Sequence, residues 1–136
     1  MMNRLCQLLI VLAVFYALSY KTVLYWSAQT RPWQPVSAWG RVIFYYSFFT
    51  VLANLLLAIS SLVLLFKPHY DSRLFRIIRL DALVGIIITM IVYNGVLRSI
   101  HHPPTFELCM TNELLHLVVP IIGILSWLVW GALPSD

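Results

Sequence analysis

The sequence predicts an all-α, polytopic transmembrane helix bundle, and three observations carry that expectation. The chain is 61% hydrophobic and only 10% charged over 136 residues, where a soluble domain would carry roughly a quarter charged residues. Its mean hydropathy is +0.87, concentrated in apolar runs separated by basic and turn-forming segments. Five Trp, seven Tyr and seven Phe suit aromatic belts at the two membrane–water interfaces. With no internal repeat and no low-complexity linker, residues 1–136 read as a single transmembrane domain.

Four spans are expected, at about residues 5–25, 42–66, 80–97 and 114–133. The first begins like a signal peptide, with Arg4, an apolar run from Leu8 to Leu18, and Ala17-Leu18-Ser19 as a poor cleavage triplet. Apolar character continues past Lys21 through Val23 and Leu24 to the pair Tyr25-Trp26, so an uncleaved span with a snorkelling Lys21 is preferred. Ser27 to Arg41 reads as a loop, broken by Pro32, Pro35 and Gly40, with Trp33 and Trp39 suited to an interface. Val42 to Phe66 carries no charge and, at about 1.5 Å per residue, exceeds the roughly 30 Å hydrocarbon core. Lys67 to Asp71 is a turn, after which Arg73, Arg76 and Arg79 lead into the third span. His101-His102-Pro103-Pro104 breaks the chain again, and Thr111-Asn112-Glu113 offers helix-start chemistry for the fourth.

Counting Lys and Arg orients the bundle. The loop between spans two and three holds Lys67, Arg73, Arg76 and Arg79, against Arg31 and Arg41 in the first loop and Arg98 in the third. The middle loop is therefore expected in the cytoplasm, with both termini on the same side. The charge of +4 is read as topology, because no basic patch interleaved with aromatics stands clear of the spans to bind nucleic acid. Cys6 and Cys109 fall near opposite faces and are expected as two unpaired thiols.

The polar residues inside the spans are few. In span two, Ser47, Thr50, Asn54, Ala58 and Ser61 recur every three or four residues and share a helix face. Thr50 falls about 12 Å below the outer end and Asn54 a turn deeper. Under the same topology Tyr93, Asn94, His116 and Glu113 belong to the outer half, and Asp81 to the inner one. The structural readings are a Thr50 hydroxyl bonded to its own helix four residues back, an interhelical hydrogen bond at Asn54, and an interfacial ion pair between Asp81 and a neighbouring Arg such as Arg79, with Ser60 and Ser61 as further partners. His116 is the one histidine inside a span, since His69, His101 and His102 lie in loops, and an ionisable residue at membrane depth is a functional candidate. Pro120 has no N–H and clashes with the carbonyl four residues earlier, that of His116, so a kink and a released carbonyl are expected there. Such backbone is tolerated at membrane depth only when buried in protein or lining a cavity. Glu113, three residues before His116, shares its face and is expected to orient the imidazole.

Three segments carry a family resemblance: Phe48-Phe49-Thr50-Val51-Leu52-Ala53-Asn54-Leu55-Leu56, Arg79-Leu80-Asp81-Ala82-Leu83-Val84-Gly85, and Asn112-Glu113-Leu114-Leu115-His116-Leu117-Val118-Val119-Pro120. In order and spacing they resemble the Pr6Pr family of bacterial membrane proteins, relatives of the eukaryotic androgen-induced, FAR-17a-like proteins. The resemblance implies hydrolysis of fatty acid esters of hydroxy fatty acids by an intramembrane threonine and histidine, which match Thr50 and His116. It implies residence in the bacterial inner membrane and no cofactor or metal. It also implies about six spans, two more than are read here, so a shortened family member is expected.

Three functions follow. The first is a membrane hydrolase of lipid esters, with Thr50 as nucleophile, His116 as base, and Asn54 or Tyr93 donating to the oxyanion. The second is a non-catalytic structural or lipid-binding bundle in which Thr50, Asn54 and His116 join helices. The third, a haem anchor, needs axial ligands from facing helices and finds one histidine in a span. Membrane lipids are the expected partners under the first two.

Overall fold

The computed structural model describes residues 2–27, 34–100 and 102–131, and every regular element among them is helical. Helix α1 is Met2–Ser27, α2 is Ala38–Tyr46, α3 is Phe49–Phe66 and α4 is Arg73–Gly95. A 3-10 turn at Leu97–Ser99 precedes α5, which runs from Phe106 to Gly131. Three of them, α1, α3 and α5, are long and apolar enough to cross a membrane, and their apolar residues point outward as well as inward. Leu5, Leu12, Phe15, Phe49, Ile59, Leu125 and Leu128 are all exposed, as expected of a bundle whose solvent is hydrocarbon.

α3 packs between α1 and α4, and α5 lies against all three. Ile10, Val14 and Ala17 of α1, Leu57 of α3, Ala82 and Ile86 of α4 and Val119 of α5 form the centre, each at 1% exposure or less. Small residues allow the close approaches. A Cβ on Gly85 would stand 2.9 Å from Ala53 Cβ, and one on Gly123 would stand 3.0 Å from both Ile86 Cδ1 and Leu57 Cδ2. Membrane helices associate through such surfaces because burial against lipid supplies little drive.

Several boundaries depart from the sequence expectation. The second apolar run is two helices, because Ser47 Oγ donates to Phe44 O at 2.6 Å and Phe48 takes an extended conformation. A hydroxyl competing for the last carbonyls of α2 ends it without Pro or Gly. α2 begins inside the expected loop, at an N-cap where Ser37 Oγ accepts from Gly40 N. α4 begins seven residues before the predicted span, at an N-cap where Ser72 accepts from Phe75 N. α5 starts after the N-cap Thr105, whose hydroxyl accepts from Leu108 N, so Thr111-Asn112-Glu113 lie within the helix. Pro32, Trp33, His101 and the end of the fourth predicted span lie outside the described residues.

Arg41 was read from sequence as a loop charge. It is 7% exposed and donates to Tyr25 O at 2.8 Å, Trp26 O at 2.8 Å and Val36 O at 2.6 Å. It thus closes the C-terminus of α1, where orphan carbonyls and the helix dipole favour a cation.

Candidate functional site

Pro120 organises the site. Residues Leu114–Val118 form a π-helical turn, with Val119 N donating to Leu114 O. In that register the missing Pro120 N–H would have served Leu115 O, five residues back, and in α register His116 O, four back. Both carbonyls take donors from other helices instead. Asn54 Nδ2 of α3 donates to Leu115 O at 3.2 Å and to Thr50 O at 2.8 Å. Asn94 Nδ2 of α4 donates to His116 O at 3.2 Å and to Met90 O at 2.8 Å. Each amide spends its two hydrogens the same way, one on the carbonyl four residues back and one on the π turn. The released carbonyl expected from Pro120 is therefore held by Asn94.

His116 is fixed by this turn. Its Nδ1 lies 2.8 Å from Asn112 O, and because a carbonyl only accepts, Nδ1 carries a proton, so that the neutral form of the ring has its lone pair on Nε2. The ring stacks on Tyr93, centroids 4.0 Å apart and planes inclined by 22°. Lys21 Nζ donates to Asn112 Oδ1 at 2.6 Å, tying α1 to the residue that orients the histidine.

Thr50, Tyr93 and His116 line one cavity of about 400 Å³, together with Lys21, Tyr45 and Asn112. Thr50 is half-buried in the first turn of α3, and its hydroxyl has no hydrogen-bond partner among the described residues. The break at Ser47–Phe48 places the carbonyl four residues back in a different helix, which removes the self-bonded arrangement expected for Thr50. Tyr45 is 3% exposed, and its hydroxyl is buried without a partner among the described residues.

No family model, curated protein or solved structure matches this chain. The resemblance to Pr6Pr proteins thus rests on the three sequence segments alone.

The remaining candidates fall elsewhere. Asn54 is fully buried and does not line the cavity; with both hydrogens engaged on carbonyls it braces helices and has none to offer an oxyanion. Asn94 accepts from Arg98 Nη1 at 2.9 Å and likewise braces. Glu113 pairs with Arg98, whose guanidinium it holds above its ordinary pKa through that hydrogen bond; the backbone of Asn112, not Glu113, orients the imidazole. Asp81 is exposed and makes no ion pair among the described residues, since Arg79 turns inward to Ser60 and Ser61. Among the described residues no cluster of His, Cys, Asp and Glu could hold a metal ion. Lys21, Tyr45 and Asn112 are the site residues sequence reasoning missed. Lys21 was legible as a charge inside an apolar run, whereas a tyrosine in an aromatic-rich stretch carries no signal of its own.

Proposed function

We propose that the chain is a multi-pass cell-membrane protein of the Pr6Pr type that hydrolyses carboxylic esters of lipids, with Thr50 as nucleophile and His116 as general base. The observation that carries this reading is the contact of His116 Nδ1 with Asn112 O, which in the neutral form leaves the basic lone pair on Nε2 of a ring lining the same cavity as the Thr50 hydroxyl, itself without a partner among the described residues. A hydroxyl is a weak nucleophile at its ordinary pKa and needs such a base.

In this mechanism Nε2 takes the Thr50 proton as Oγ1 attacks the ester carbonyl carbon. The tetrahedral oxyanion accepts a hydrogen bond from the buried Tyr45 hydroxyl, with the Lys21 ammonium adding positive potential. Collapse expels the alcohol, which recovers the proton from His116. Water activated by the same nitrogen then attacks the acyl-threonine carbonyl and releases the acid. Fatty acid esters of hydroxy fatty acids are the substrates the resemblance implies, in a bacterial inner membrane. α4 serves as the fourth span, with the Lys67–Arg79 segment and both termini cytoplasmic, which the basic residues of that segment support.

Membranes containing the expressed protein, exposed to a fluorophosphonate probe and to a lipid ester, test the assignment. Thr50→Ala and His116→Ala should each lower turnover by at least about a hundredfold, the scale of a lost general base, and Thr50→Ala should abolish labelling. Labelling that persists in Thr50→Ala would end it. The bracing by Asn54 and Asn94 favours the second reading, a non-catalytic lipid-binding bundle, in which neither substitution changes any turnover.

A further inference from the structure

A second cavity, of about 760 Å³, opens at the opposite end of the bundle from Thr50 and His116. Arg79 of α4 forms part of its wall and is only 8% exposed. Its Nη1 donates to Ser60 Oγ at 3.0 Å and Ser61 Oγ at 3.5 Å, and its Nη2 to Gln7 Oε1 at 3.1 Å. Gln7 in turn donates through Nε2 to Ser126 Oγ at 2.6 Å and Asn3 Oδ1 at 2.8 Å. The network joins α1, α3, α4 and α5, and among the described residues every acceptor around the guanidinium is neutral.

A buried charge is expensive unless it is paired, and among the described residues Arg79 has no carboxylate within ion-pair distance. The ion pairs of the described residues are Arg76 with Asp71 and Arg98 with Glu113. Arg41, the other buried arginine among the described residues, sits on the carbonyls of a helix C-terminus, whose dipole compensates it. Arg79 lies in the first half of its helix, where the dipole gives no such help. Of the five N–H donors of a guanidinium, the contacts within the protein leave some for a ligand.

We propose that this cavity binds the phosphate of an anionic lipid headgroup, with Arg79 as its anchoring donor. A planar guanidinium fork matches phosphate oxygens. Leu64, Leu80, Trp127 and Trp130 supply an apolar wall for the first carbons of the acyl chains, and tryptophans favour headgroup depth. Arg76 and Asp71 line the cavity edge as an ion pair, and the exposed Lys67 and Arg73 on either side of Asp71 leave that rim net positive for an anion. The site is independent of the ester-hydrolase reading, being built from other residues at the other end of the bundle.

The test uses the purified full chain in maltoside micelles, titrated with dihexanoyl phosphatidylglycerol and followed by tryptophan fluorescence, with inorganic phosphate and the phosphate-free dioctanoylglycerol as separate arms. Saturable phosphatidylglycerol binding that weakens at least about tenfold in Arg79→Gln, as expected for a lost charge-assisted contact, supports the site. The exposed Arg76→Gln should change affinity by less than about threefold. Equal weakening in both variants would reduce the effect to surface charge and overturn the proposal. Inorganic phosphate acting at the same concentration as the lipid would overturn the lipid assignment. Should Arg79→Gln fail to fold by circular dichroism, the wild-type titrations decide: dioctanoylglycerol saturating the fluorescence change at the same concentration as phosphatidylglycerol would overturn it.

Discussion

Replacing Asn54 by Leu, alone and together with Pro120→Ala, tests whether the π turn and the asparagines form one unit. Asn54→Leu strands the Leu115 carbonyl, which costs about 1–3 kcal/mol for a buried unsatisfied acceptor. It also removes the Asn54 Oδ1, which is buried without a partner among the described residues, and recovers part of that desolvation cost. The single variant is therefore expected to lose only about 1 kcal/mol. Pro120→Ala restores an N–H that reaches Leu115 O in π register or His116 O in α register. In the first case the Asn54 substitution becomes cheaper, and in the second the Asn94→Leu substitution does. The Oδ1 term cancels in the cycle, so the coupling isolates the carbonyl and should be about 1 kcal/mol, toward the upper range of interhelical hydrogen bonds in membrane proteins. Denaturation in mixed dodecyl maltoside and dodecyl sulfate micelles, followed by circular dichroism, measures each corner. Additivity within about 0.4 kcal/mol for both asparagines would refute the reasoning.

Gly85→Ala should destabilise by about 1–2 kcal/mol in the same assay, because its Cβ would stand 2.9 Å from Ala53 Cβ in a surface that cannot yield cheaply. Ala53→Gly in the same chain should recover most of that loss. Arg41→Lys should cost about 2 kcal/mol, since an ammonium cannot hold the three carbonyls that Nε, Nη1 and Nη2 reach. Glu113→Gln should leave ester turnover within about threefold, because it removes a half-exposed surface pair worth under about 1 kcal/mol and leaves His116 held by Asn112. A tenfold loss there would return the orienting role to Glu113.

The membrane class of this chain was legible because hydropathy sums over neighbours and needs no partner. Apolar runs predicted long helices, and three of the described helices can cross a membrane. The consequence of Pro120 was legible for a covalent reason: a missing N–H deprives specific carbonyls wherever the helix lies. The break at Ser47–Phe48 was not, since a serine inside an apolar run signals a buried hydroxyl as readily as a helix end.

What tertiary structure decided is the pairing of groups far apart in sequence. Asn54 reaches across 61 positions to Leu115 O, Gln7 across 72 to Arg79, and Lys21 across 91 to Asn112. Asn54 and Lys21 stand out in their apolar runs, but each of the three finds its particular partner only through the helix it faces. Glu113 and Asp81 show the converse: sequence neighbours suggested partners for them, and the rotation of α4 and α5 gave Glu113 to Arg98 and left Asp81 on the surface. The apolar helices and the carbonyls deprived by Pro120 follow from the order of residues, because they are local and additive. Which donors serve those carbonyls, and which cation is buried without an anion among the described residues, follow from packing.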